Sequence, residues 1–161
     1  MGKTLEWVHA VKSRSQEAII VSQDKFVKCL NQGIAGQHEG KTNITVVSTL
    51  KGLCQCIEAL QKTDRFGVDL ELAEIDGLWL TCFLQLSVEG EDFVLDVLEP
   101  EVRERIHEKL HPFFSNWKYL KIFHAMECLD IPSLFWDFGL VVINAVDLQM
   151  AWAKLKESSK G

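Results

Sequence analysis

The chain has 161 residues, 47% of them hydrophobic and 25% charged, an ordinary globular mixture that predicts a domain large enough to bury a proper core. Its net charge of −6 argues against broad non-specific nucleic-acid binding, which draws on clustered Lys and Arg, but leaves room for a nucleic-acid enzyme whose metal-binding carboxylates add negative charge. No apolar run reaches membrane-spanning length, residues 1–30 are too polar for a secretory signal, and Glu6 stands where a myristoylation motif at Gly2 wants Ser or Thr, so an intracellular protein with no membrane partner is expected.

In chain order, Leu5, Val8, Val11, Ile19, Ile20, Phe26, Val27 and Leu30 predict helix in the first part of residues 1–32, and Gly33, Gly36 and Gly40 predict a loop or linker. Ile44–Val47 reads as a short strand leading to a helix capped near Ser48, with an apolar stripe at Leu50, Leu53, Cys54, Ile57 and Leu60. Strands are then predicted at Phe66–Glu71, Leu78–Ser87 and Asp92–Val97, the last two joined by a turn at Glu89-Gly90-Glu91. Pro100 opens a helix running to about Leu110. A strand at Tyr119–His124, a helix from about Asp130 to Asp137, a strand at Leu140–Ile143 and a final helix capped by Asp147 and running through Lys156 complete the chain. This order implies a mixed α/β sheet, a meander followed by parallel crossovers.

Within that frame Asp69 and Glu71 are the most informative pair. Residues i and i+2 of a strand share one face, so two carboxylates would project side by side, at a cost unless a cation sits between them. Hard divalent ions such as Mg²⁺ take oxygen ligands. Asp130, following the run Tyr119–His124, supplies a candidate third carboxylate. The plainer alternative is that Asp69 and Glu71 merely end an edge strand.

Two other motifs carry less. His107-Glu108-Lys109-Leu110-His111 matches the helical zinc signature H-E-x-x-H, but Val102, Ile106, Leu110 and Phe113 form the apolar face of its helix. Glu104, His107, Glu108 and His111 fall on the polar side, Pro112 should end the helix, and nothing places Glu127 or Asp130 as a third ligand. The five cysteines, Cys29, Cys54, Cys56, Cys82 and Cys128, odd in number and mostly embedded in apolar patterns, read as reduced core thiols of an intracellular protein, and Cys54-Gln55-Cys56 lacks zinc-pair spacing.

Lys121-Ile122-Phe123-His124-Ala125, then Asp130-Ile131, Leu134, Asp137-Phe138-Gly139-Leu140-Val141-Val142, Asn144 and Asp147, resemble the second exonuclease motif of the RNase D-like 3′–5′ exonucleases of the DEDD superfamily. The likeness is closest to the branch found in the nuclear RNA exosome. Val68-Asp69-Leu70-Glu71, then Leu80-Thr81-Cys82 with Gln85, Asp92-Phe93 and Asp96-Val97-Leu98-Glu99, resemble the first motif and the segments next to it in that family. The likeness covers about residues 44–156, which divides the chain into an N-terminal extension and linker, 1–43, and an exonuclease-like domain, 44–161.

The resemblance implies an RNase H-like exonuclease fold, a mixed five-stranded sheet flanked by helices. It also implies two-metal hydrolysis, with Mg²⁺ or Mn²⁺, of a 3′-terminal phosphodiester. Carried over by position, Asp69, Glu71 and Asp130 are the catalytic metal ligands. Leu70 and His124 are structural, with His124 packed at a strand end, and Asp147 is a helix cap. The implied partners are nucleic acid, single-stranded RNA 3′ ends rather than DNA, and proteins of an RNA-processing complex, in the nucleus.

Three departures from the family pattern stand out. Asp130 comes six residues after His124 instead of five, and the connection from Glu71 to Thr81-Cys82 is about one residue short; both are tolerable loop changes. More seriously, the family's last motif, a Tyr followed four residues later by a fourth metal-binding Asp, belongs well downstream of Asp147, and the sequence ends at Gly161 before reaching it. The expectation is therefore a C-terminally truncated exonuclease domain, weak or inactive by itself. The alternative is an inactive exonuclease-like domain that binds RNA or a protein partner.

Overall fold

The computed structural model describes residues 43–126 and 129–158; the helix and linker expected within residues 1–42 lie outside them. Six strands form one mixed sheet in the order β1-β4-β3-β2-β5-β6. Along the chain come β1 (Asn43–Val47), α1 (Leu50–Gln61), β2 (Arg65–Ile75), β3 (Leu78–Val88), β4 (Glu91–Asp96), α2 (Pro100–Phe114), β5 (Leu120–Phe123), α3 (Asp130–Phe138), β6 (Ala145–Asp147) and α4 (Leu148–Ser158). The meander β2-β3-β4 is antiparallel, whereas β1 joins β4, β5 joins β2 and β6 joins β5 in parallel.

Alternation along β2 builds the core on one side and the candidate site on the other. Phe66, Val68 and Leu70 are buried, together with Leu84 and Leu86 of β3, against Leu53 and Leu60 of α1 and Val102, Ile106 and Leu110 of α2. Gly67, Asp69 and Glu71 take the opposite face, as period-two alternation requires. Leu70 is thus a core residue.

The structure corrects several expectations. The sheet has six strands, not five. Its last strand is Ala145–Asp147, not Leu140–Ile143. The apolar run goes instead into leaving α3. Gly139 adopts the left-handed conformation (φ 66°), its N–H and that of Leu140 bond to the carbonyls of Phe135 and Leu134, and Leu140 buries itself against the core. Thr49, not Ser48, caps α1, its hydroxyl accepting the Gly52 N–H at 3.3 Å. The β2–β3 hairpin is four residues longer on β2 than expected, ending at Ile75. The signal was Asp76-Gly77, a turn dipeptide whose residues both have positive φ (52° and 80°), as a hairpin following strand twist requires.

α2 continues through Pro112 to Phe114, although proline has no N–H to donate. Burial outweighs that loss. Phe113 and Phe114 are 5% and 0% exposed, and Phe114 meets Phe66 edge to face with ring centroids 5.5 Å apart. The carbonyls at this interrupted helix end are served by Lys121, fully buried on β5, whose Nζ donates to Phe113, Asn116 and Tyr119 at 3.3, 3.1 and 2.7 Å. None of the described helices is long and apolar enough to cross a membrane.

Candidate active site

Asp69 lies opposite Gln85 and Glu71 opposite Phe83 in the β2–β3 ladder. Asp69 is exposed and Glu71 half-buried. Gln85 reaches diagonally to donate from Nε2 to Glu71 Oε1 at 3.3 Å. Immediately after Glu71 the register slips, Leu72 facing Thr81, so Cys82 is left over as a bulge. Bulges are frequent beside active sites, where they re-aim side chains.

On its other edge β2 runs parallel to β5, with Phe66 opposite Lys121 and Gly67 opposite Ile122. Parallel pairing brings the chain out of β5 at the same end of the sheet as Asp69 and Glu71, where ligand-binding groups gather in such sheets. Ala125 makes the exit turn with a positive φ of 60°, and Asp130 begins α3.

Asp147 holds that turn. It ends β6 in register with Phe123 and is 5% exposed. Its Oδ1 accepts the N–H of Ala125 at 3.1 Å and of Gln149 at 2.8 Å, and Oδ2 accepts that of Met126 at 2.9 Å. Burial pushes its carboxyl up, but these backbone donors, with Met150, outweigh it and hold the group below the ordinary carboxylate range. Asp147 is therefore the expected cap of the last helix, and also the fastening of the turn that leads to Asp130.

The other carboxylates disfavour one another. Glu71 is raised by burial and then by Asp69. Asp130, only 9% exposed, is pushed up to about 6, first by burial and then by Asp69, Asp147 and Glu71. This holds although Asp130 opens a helix, where the dipole favours an anion. Asp69, Glu71 and Asp130 thus share one electrostatic neighbourhood. Their donor set, oxygen atoms of mutually repelling carboxylates, suits a hard divalent cation. As the side chains stand, no group of three or more His, Cys, Asp or Glu among the described residues encloses a site for an ion. Glu127 lies outside the described residues.

The remaining candidates go elsewhere. His107 is exposed, with Nδ1 3.0 Å from the Phe138 carbonyl, and His111 Nδ1 lies 3.2 Å from the Ser115 hydroxyl. His124 is exposed, not packed at the strand end, because β5 stops at Phe123 and the chain turns outward. Cys56 and Cys82 are buried thiols, pushed up mainly by burial to about 12 and about 11, while Cys54 is exposed, contrary to expectation. Sequence reasoning missed the contacts of Gln85, Lys121 and Arg103. Gln85 and Lys121 stand in the segments that carry the family likeness, but their partners were not legible there; Arg103 shows only as a polar residue inside an apolar period.

A family model described as 3′–5′ exonuclease matches residues 44–160. The chain belongs to the 3′–5′ exonuclease family. Among curated proteins it is 33% identical over 116 residues to the exosome complex component 10 homolog of Caenorhabditis elegans, a match covering 71% of this chain and 13% of that protein. It is 36% identical over 113 residues to exosome complex component 10 of Mus musculus, covering 70% and 12%. The chain therefore spans only about an eighth of the length of these relatives.

Among solved structures, the catalytic core of RRP6 from Trypanosoma brucei superposes with a TM-score of 0.62 at 27% identity, over 71% of this chain and 31% of that one. RNase D of the same organism, in complex with RNA, gives 0.63 at 21% identity over 70% and 39%, a likeness of fold. The expected RNase H-like exonuclease architecture is the one these neighbours have.

Proposed function

We propose that residues 44–161 are a 3′–5′ exonuclease domain that acts on single-stranded RNA 3′ ends in nuclear RNA processing or degradation, with residues 1–43 an extension. The observation that carries the metal part of this reading is the Asp130 carboxyl at the start of α3, pushed up to about 6 first by burial and then by Asp69, Asp147 and Glu71. A cation beside such a group would relieve both its burial and its repulsion by the neighbouring carboxylates. Asp69, Glu71 and Asp130 would hold Mg²⁺ or Mn²⁺, which, when bound, activates a water and stabilises the leaving oxygen of a phosphodiester. Asp147 fixes the turn before Asp130, and Gln85 orients Glu71. The kinship with exosome complex component 10 supports RNA as the substrate and proteins of an RNA-processing complex as partners.

Residues 1–161 contain a single tyrosine, Tyr119, so a polypeptide of these residues alone carries no Tyr-x-x-x-Asp after Asp147. A site short of one carboxylate and of its neighbouring Tyr loses charge stabilisation and positioning of the attacking water. Together these are worth roughly three or more orders of magnitude in rate. The 161-residue polypeptide should therefore trim 5′-labelled, 3′-hydroxyl single-stranded RNA slowly or not at all with Mg²⁺ or Mn²⁺, and any trimming should vanish in Asp69→Ala. Restoring a downstream Tyr-x-x-x-Asp segment should bring robust trimming. Its failure to do so, with RNA still bound, would favour the reading of an inactive RNA-binding domain. Robust, processive trimming by the 161-residue chain would mean that another carboxylate completes the site.

A further inference from the structure

Two buried polar residues outside the carboxylate cluster, Thr81 and Arg103, converge on one side chain of α3, Asp137. Asp137 follows Asp130 by seven residues, close to two full turns, so both project from one helix face. Its Oδ2 accepts the backbone N–H of Thr81 at 2.9 Å. Thr81 is the β3 residue that faces Leu72, the first pair after the bulge and the neighbour of Glu71. The Oδ1 atom of Asp137 lies 3.6 Å from Nη2 of Arg103, with the Arg103 and Asp137 side chains 6% and 16% exposed. The guanidinium donates from Nη1 to the Val97 carbonyl at 3.3 Å and lies 5.0 Å from the centroid of the Phe138 ring.

One carboxylate therefore ties together β3 at the bulge, the start of α2, and the helix that begins with Asp130. The arrangement is costly. Burial lowers the pKa of Arg103 against the pull of Asp137, and neither Arg103 Nη2 nor the Thr81 hydroxyl has a hydrogen-bond partner. Apolar side chains of similar volume would stabilise such a junction as well or better. What the polar group adds is a fixed register of α3 along β3.

We propose that Asp137 is a positioning residue, which sets α3 against the bulge and so fixes the placement of Asp130 relative to Glu71. The inference rests on the reading of Asp69, Glu71 and Asp130 as metal ligands. Asp137 acts through the helix, and Arg103 holds Asp137 in direction.

The test uses the 161-residue chain and its Asp137→Ala, Asp137→Asn, Arg103→Lys and Asp130→Ala variants. Mn²⁺ affinity is read by calorimetry, and amide exchange at Thr81 by NMR without metal. In Asp137→Ala, Thr81 exchange should accelerate and Mn²⁺ affinity should fall roughly tenfold, the range usual for groups that orient metal ligands. Asp137→Asn keeps an oxygen for the Thr81 N–H and should recover most of that affinity. Should Asp137→Ala not fold, Arg103→Lys carries the test, since it keeps the charge but loses the planar fork; a fall in Mn²⁺ affinity toward the same roughly tenfold loss is expected there. Wild-type affinity in these variants, with binding abolished in Asp130→Ala, overturns the positioning role and leaves the metal site standing. Mn²⁺ binding that is absent from the wild type, or unchanged in Asp130→Ala, overturns the metal site itself and this inference with it.

Discussion

Replacing Lys121 by Met tests how the interrupted end of α2 is held. The side chain is 0% exposed, and its three donors go to the carbonyls of Phe113, Asn116 and Tyr119. A hydrogen bond from a charged donor contributes about 1.5–3 kcal/mol, and Met keeps the stem while removing all three. Against this stands the cost of burying an ammonium, which lowers the Lys121 pKa from 10.5 to about 8, equivalent to about 3 kcal/mol. Two of the carbonyls also retain backbone or Asn144 donors, Asn116 from the Tyr119 N–H and Tyr119 from Asn144 Nδ2. The hydrogen bonds win, and Lys121→Met should lose about 2–4 kcal/mol at pH 7.

The same substitution has a signature in pH. Between about 8 and 10.5 the unfolded chain holds the Lys121 proton more tightly than the folded one. Wild-type stability attributable to this group should therefore rise with pH across that window. Urea unfolding of both proteins at pH 7 and pH 9.5 should show a gap that widens. A variant as stable as the wild type, or a gap that closes as pH rises, would refute the reasoning.

Asp130 gives the opposite slope at lower pH. Its folded pKa is raised from 3.8 to about 6, so the metal-free fold holds the proton more tightly and loses up to about 3 kcal/mol as pH climbs through that window; urea melts should show a flattened dependence in Asp130→Asn. Gly77→Ala places a Cβ at φ 80° with nothing within 4 Å of it, so only backbone strain applies, and a loss of about 1 kcal/mol in thermal unfolding is expected. Equilibrium dialysis of His107→Ala and His111→Ala should show no change in zinc content relative to the wild type; stoichiometric zinc lost in either variant would revive the H-E-x-x-H reading.

Much of this molecule is legible from residue periods. The alternation of Phe66, Val68 and Leu70 with Asp69 and Glu71 assigns one face of β2 to the core and the other to carboxylates. Pro100 and Asp147 mark helix starts, and the ordered likeness over residues 44–156 identifies the family. These are local signals, set by side-chain direction and capping chemistry within a few residues. Other features are decided only when distant segments meet. Leu140–Ile143 has the composition of a strand, yet becomes the exit from α3, because Leu140 closes the helix end and β5 pairs with Ala145–Asp147. Pro112 has the composition of a helix stop, yet burial of Phe113 and Phe114 carries α2 past it. That Asp130, Asp69 and Glu71 repel one another, and that Asp137 serves as an internal tie to Thr81 and Arg103, depends on groups dozens of residues apart in sequence. Burial and Coulomb terms act through space, and no local period encodes them.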